Sequence, residues 1–373
     1  MDNLNTQEIV ETLKTNLKRL EEKDFSIYFF VIDTNGAPTG AVANIYEHVK
    51  LLTELGYNAH ILHEKNEYAT KQVDYIKSWL GEEYSSLSHV SIEDKTVKIN
   101  MTDIIMVPEL FANVMEQTVN LPGKRVVFCQ SYDYITETLQ PGKTWLDYGI
   151  TDCITTTEKQ KEYIDNLFNE RVNTRVVPVA VDSRFTKNTE PKKPIVAIMT
   201  RDQRDTVKIF KNFYIKYPHL KWITFRDMRG MSKDVFAEAL KESCVAVWVD
   251  DIAGFGTFPI ESMACGTPVI GKLPNLANGW VTEKNGIWVD NTVIIPDLLS
   301  QYLQSWLEDS VPSDIFSEMD ETVGNFTTNI MRDSVESVYT ELFENREKEI
   351  KETLAKYEVD NVTTVDGGET KNK

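Results

Sequence analysis

The sequence predicts an α/β protein of two Rossmann-like domains facing each other across a cleft. Short apolar runs alternate with helix-period segments along nearly the whole chain, the order that builds parallel sheets with helices on both faces. A polar, proline-bearing, lysine-rich stretch, SRFTKNTEPKKP from Ser183 to Pro194, splits that alternation into two similar halves. The chain has 373 residues, enough for two hydrophobic cores.

Taken in order, the first 24 residues carry a helical stripe through Ile9, Leu13, Leu17 and Leu20, read as a packed surface helix or, more sharply, a partner-binding one. The first α/β domain is expected over 25–185. IYFFVID, from Ile27 to Asp33, is a continuous apolar run suited to a strand buried on both faces. TNGAPTG follows as a turn, then a helix through Val42, Ile45, Val49, Leu52 and Leu55 that Gly56 ends. NAHILHE, DIIMVP, RVVFCQ, DCITTT and TRVVPV are the further strands. The second domain, 186–325, opens with IVAIMT and continues through KWITF, CVAVWV and intervening helices. A helix is expected over 326–358, and 359–373, poor in apolar residues, reads as a disordered tail.

Composition narrows the function. The net charge of −18 opposes non-specific binding to nucleic acid or anionic membrane. No apolar run reaches the roughly 20 residues of a membrane span, and the polar, acidic start is not a secretory signal. The four cysteines lie in apolar surroundings without paired spacing, which implies buried free thiols and a cytoplasmic setting. His60 and His63 flank Ile61 and Leu62 at a strand end and read as packing rather than metal ligation; no metal site is expected.

The most informative stretch is GFGTFPIESMACGTPVIG, Gly254 to Gly271. Gly254 and Gly256 let a ligand approach the backbone, and a helix starting after them presents its N–H groups to an anion. Glu261 sits inside that helix among apolar neighbours. Its bland reading is a cap; its sharper one is a ligand-binding carboxylate. This stretch, together with RVVPVAVDSRF, ITTTEKQKEYI and NGIWVD, resembles the retaining, nucleotide-sugar-dependent glycosyltransferases of the GT-B fold, the family-4-like group. The resemblance implies donor contacts from Gly254, Phe255, Gly256 and Thr257, with Glu261 on the ribose hydroxyls. It implies a cation on the donor diphosphate at Arg201, and Arg204 in place of the usual second, lysine cation. Gly36 and Gly40 of TNGAPTG would face the diphosphate from the first domain. Gln130 stands near where many relatives carry a histidine close to the donor sugar. Glu109, after VP, is a sugar or acceptor candidate or a helix cap, and Tyr132 is a second such candidate. Relatives usually have glutamate eight residues before Glu261; here that position is Ala253, and Asp250 or Asp251 is the candidate substitute.

The expected function is transfer of a hexose or pentose from a nucleoside-diphosphate sugar to an acceptor hydroxyl, with retention and without metal or cofactor. The acceptor (glycan, lipid-linked sugar, protein or modified nucleobase) stays open, and a homo-oligomer is compatible with the sequence. Alternatives are nucleotide-sugar epimerisation or hydrolysis on the same fold, and a non-catalytic partner subunit.

Overall fold

The computed structural model describes residues 6–33, 39–252, 254–273 and 279–366, with side chains to residue 358. Two all-parallel sheets form its frame. The first has seven strands, β1 (Ser26–Phe30), β2 (Asn58–His63), β3 (Ser88–Ser91), β4 (Ile104–Pro108), β5 (Lys124–Cys129), β6 (Asp152–Thr155) and β7 (Asn173–Val176), in the order β3-β2-β1-β4-β5-β6-β7. The second has five, β8 (Lys193–Thr200), β9 (Thr224–Asp227), β10 (Ser243–Val249), β11 (Val269–Lys272) and β12 (Ile287–Val289), in the order β12-β11-β10-β8-β9. The helices are α1 (Thr6–Glu21), α2 (Gly40–Glu54), α3 (Asn66–Trp79), α4 (Glu82–Ser85), α5 (Ala112–Gln117), α6 (Asp133–Glu137), α7 (Glu158–Phe168), α8 (Gln203–Lys216), α9 (Lys233–Glu242), α10 (Thr257–Ala264), α11 (Ile295–Leu307), α12 (Ser313–Gly324) and α13 (Thr328–Asp366). None of the described helices is long and apolar enough to cross a membrane.

The continuous apolar runs are explained by two-sided burial. Along β1, Ile27 and Phe29 enter one core while Tyr28 and Phe30 enter the core on the opposite face. Along β10, Ala246 and Trp248 face one core and Val245, Val247 and Val249 the other. The half-polar SHVS of β3, at the sheet edge, carries no such run and was not anticipated. The four cysteines are free and buried, and burial pushes the thiols of Cys244 and Cys265 up to about 12. His63 bridges Asp33 and His89, with each ring nitrogen 2.9 Å from its partner, while His60 Nδ1 lies 2.8 Å from Ser88 Oγ. Strand-end packing accounts for both histidines, and no metal-holding cluster occurs among the described residues.

The C-terminal helix departs from expectation in two ways. It continues to Asp366, beyond the boundary expected at residue 358, so 359–366 are helical. It also returns to the first domain. Met331, Val335, Tyr339, Leu342 and Ile350 form one helical stripe in the core that Leu13 and Leu20 of α1 enter from the other side. The partner of the N-terminal amphipathic helix is thus α13 of the same chain. Ion pairs fasten the seam: Arg332 to Glu54 at 2.7 Å, Arg175 to Glu341 at 2.9 Å, and Lys124 to Glu349 at 2.8 Å. Arg175 and Lys124 also reach Asp152, at 2.8 and 3.0 Å. Burial raises that carboxyl, but the two cations outweigh burial and hold it below its ordinary value.

Leu342 is fully buried, so Leu342→Ala should cost about 2–5 kcal/mol of stability. Denaturant unfolding followed by tryptophan fluorescence and circular dichroism checks this. An unchanged midpoint would mean that α13 is not part of the first domain's core.

Candidate functional site

The strands of both sheets end at an interdomain cleft, the place where open parallel sheets bind ligands. Two chambers occupy it. One, of about 610 Å3, is lined by Glu109, Gln130, Tyr134, Arg201, Asp250 and Gly254 among others. The other, of about 670 Å3, takes in Tyr84, Arg184, Lys233 and Glu261. Gly40, Asn44 and Thr257 border both chambers. The chambers therefore meet where the first turns of α2 and α10 face each other.

Two glycines permit that approach. A Cβ on Gly40 would lie 3.0 Å from the Thr257 hydroxyl, and one on Gly254 would lie 3.3 Å from the Gln130 carbonyl. Gly256 caps α10 with φ of 78°, a left-handed conformation suited to glycine. A Cβ there would also crowd the indoles of Trp280 and Trp248 at 3.2 and 3.3 Å. No side chain caps α10, so its first N–H groups keep their capacity for an anion.

Glu261 lies in the second turn of α10 and caps nothing. Its Oε1 accepts a hydrogen bond of 2.7 Å from Lys233 Nζ, and both side chains are mostly buried. Phe255 borders the 610 Å3 chamber, and its ring packs edge-on against Phe326 at 5.0 Å. Its carbonyl accepts from Trp280 Nε1 at 2.7 Å.

Arg201 borders the Glu109 chamber and is clasped by Asp250, with Nε 2.6 Å from Oδ1 and Nη2 3.3 Å from Oδ2. Its Nη2 also donates to the Ile252 carbonyl at 3.1 Å. Asp250 Oδ1 further accepts the Ile252 N–H at 3.0 Å, so one carboxylate sets both the arginine and the start of the glycine loop. Arg204 is not brought into the site. Its side chain is 83% exposed and pairs with Asp202, the residue capping α8. Asp251 pairs with Lys272 and borders neither chamber. Gly36 and Ala253 lie outside the described residues.

Gln130 borders the cleft with both polar atoms of its side chain engaged. Nε2 donates to the Ala41 carbonyl at 3.1 Å, and Oε1 accepts from Asn44 Nδ2 at 3.0 Å. It therefore ties the end of β5 to the first turns of α2. Glu109 does not cap α5, which has no side-chain cap. Its carboxylate crosses to the end of β5 and accepts the Ser131 N–H at 2.8 Å. Burial raises its pKa from 4.5 to about 7, against the pull of the Ser131, Gln130 and its own backbone N–H groups. Tyr132 is buried against Tyr163 and borders neither chamber; Tyr134, two residues on, does. Asn44, Tyr134 and Lys233 are site residues that sequence reasoning did not assign, and no motif marked them. Asp250, one of the two candidate substitutes for the missing glutamate, does border the cleft and there holds Arg201.

No protein-family profile and no curated protein matches the sequence. Solved structures do match in fold. Sucrose-phosphate synthase from Thermosynechococcus elongatus superposes with a TM-score of 0.56 at 14% identity, covering 86% of this chain and 99% of its own. The pneumococcal O-GlcNAc transferase GtfA, solved with UDP and GlcNAc, gives 0.59 at 10% identity, with the same coverage. Anabaena HepE, solved with UDP-glucose, gives 0.59 at 12% identity over 85% of this chain and 99% of its own. At these identities the likeness is one of fold: the chain has the two-sheet GT-B architecture.

The Glu109 carboxyl supplies a pH test. Its pKa is higher in the folded state than the value of about 4.5 expected unfolded. The protonated form is therefore favoured by folding; its stabilisation is complete below about pH 4.5 and is lost as pH rises through about 7. Glu109→Gln, neutral at every pH, should be more stable than the parent by up to about 3 kcal/mol at pH 8 and should gain little at pH 4. Denaturant titrations at the two pH values measure this, and a pH-independent difference would refute it.

Proposed function

We propose that this protein transfers a hexose or pentose from a nucleoside-diphosphate sugar to an acceptor hydroxyl, with retention of anomeric configuration and without a metal ion. One observation carries the reading. The uncapped N-terminus of α10 opens between two chambers, one bearing Arg201 and the other the buried carboxylate of Glu261. A diphosphate seated at that helix start would place its nucleoside beside Glu261 and its sugar beside Arg201, Asp250 and Glu109. The UDP and UDP-glucose held by GtfA and HepE support the choice of ligand class.

On this reading the backbone N–H groups of Thr257 and its neighbours hold the diphosphate, and α10 adds its positive end. Arg201 is fixed by Asp250 before substrate arrives. A preplaced cation stabilises negative charge growing on the departing diphosphate more than it stabilises the bound donor. On this reading no side chain bonds covalently to the sugar; the four cysteines are buried, three in strands and Cys265 at the end of α10. The acceptor hydroxyl would attack from the side of the leaving diphosphate, whose phosphate oxygen takes the proton. Gln130 acts by holding α2 in place: its bonds to the Ala41 carbonyl and to Asn44 fix the amide, which keeps one N–H and one lone pair for a sugar hydroxyl.

Glu261→Ala should weaken nucleoside diphosphate binding by roughly 1.5–3 kcal/mol, the worth of hydrogen bonds to a charged acceptor. Titration calorimetry with a variant of native circular dichroism decides it; parent-like affinity rejects the ribose role. Arg201→Ala should lower kcat about 100-fold or more while KM for donor moves little. A change confined to KM would make Arg201 a ground-state binder.

A further inference from the structure

Lys233 is the first residue of α9, where its charge opposes the positive end of the helix dipole. Asp234, in the same turn, is the helix-compatible residue, and Ser232 caps the helix through its hydroxyl to the Val235 N–H. What recruits Lys233 is across the cleft wall. Its Nζ lies 2.7 Å from Glu261 Oε1 and 5.0 Å from the centre of the Phe185 ring. Asp182, held by Arg184, adds a second carboxylate whose ionised form Lys233 favours. The ammonium thus has a carboxylate, an aromatic face and a further negative charge around it, and its side chain is 18% exposed.

The consequence falls on Glu261. A free glutamate side chain samples several rotamers; this one is pinned at Oε1, and Oε2 has no protein partner among the described residues. Both residues border the 670 Å3 chamber. We infer that Lys233 is a positioning residue that fixes the Glu261 carboxylate so that its remaining acceptor capacity reads the vicinal diol of a ribonucleotide, making the site selective for ribose over 2′-deoxyribose. This rests on the donor-site reading above and adds to it the residue that sets sugar selectivity in the nucleoside half.

The test is titration calorimetry of the full chain with the four ribonucleoside diphosphates and their 2′-deoxy counterparts. The parent should prefer the ribo form of its best ligand by about tenfold or more, the range expected for a hydrogen bond to a charged group. Lys233→Met should abolish most of that preference by weakening the ribo form alone, leaving the deoxy affinity unchanged. Lys233→Arg, which can still donate to Oε1, should retain it. If Lys233→Met does not fold, Lys233→Gln, too short to reach Oε1, serves in its place with the same expected loss. A purely structural ion pair would shift the melting temperature and leave the ribo-to-deoxy ratio alone, which overturns the inference. Equal weakening of both forms also overturns it, by making Lys233 a contact to the diphosphate. Failure of the parent to bind any nucleoside diphosphate removes the donor-site reading itself, and binding without ribose preference removes the role of Glu261.

Discussion

The structure depends on a contact that has almost nothing in it. Helices α2 and α10, from different domains, meet end to end where Gly40 faces Thr257 and Gly254 faces the Gln130 carbonyl. A Cβ at either point would be tighter than ordinary contact and would require its neighbour to give by a few tenths of an ångström. With the glycines, two helix starts come together in one narrow place, and the positive ends of both converge on it. The two chambers, the clasped arginine and the pinned glutamate are arranged around this contact.

Among the described residues, the cations of the cleft are matched before any ligand arrives. Arg201 has Asp250, Lys233 has Glu261, Arg184 has Asp182, and Lys50 has Glu47. Burying a lone cation is costly, whereas a hydrogen-bonded pair offsets most of that cost and fixes its geometry. In a chain of net charge −18, this keeps positive groups at the cleft without making it a general polyanion trap.

The sheets were legible because burial on two faces leaves continuous apolar runs, as in β1 and β10, while the polar edge strand β3 left no such mark. The glycine loop and Glu261 were legible because Gly-Phe-Gly followed by Gly-Thr-Pro, with a charge set among apolar neighbours, is hard to reconcile with packing alone; the φ of 78° at Gly256 and the burial of Glu261 agree with that. The pairings were not. Nothing in the spacing of Arg204 separates it from Arg201; the difference is that Asp202, the cap of α8, draws Arg204 outward while Asp250, at the end of β10, draws Arg201 into the cleft. Lys233 lies 28 positions from Glu261, and only the fold brings them to hydrogen-bond distance. For Glu109 the sequence leaves a sugar or acceptor contact beside a helix cap, because a helix follows it; its partner is the Ser131 N–H just beyond the neighbouring strand, which spacing does not show. Likewise the amphipathic stripe of α1 announced a partner without saying that it was the other end of the chain.

That return of the C-terminal helix means the backbone crosses between the domains twice, near Val181 and near Phe326. The crossings are adjacent: the Val181 N–H donates to the Phe326 carbonyl at 2.7 Å. Two tethers joined side by side place both crossings on one line, the axis about which the domains could turn without stretching either. Phe326 also carries the ring on which Phe255 of the glycine loop rests. Turning about this axis would part Gly40 from Thr257 at the far side and, through that ring contact, tilt the loop at the near side. The loop that frames the anion seat is in this way packed on the same residue at which the chain returns to its first domain.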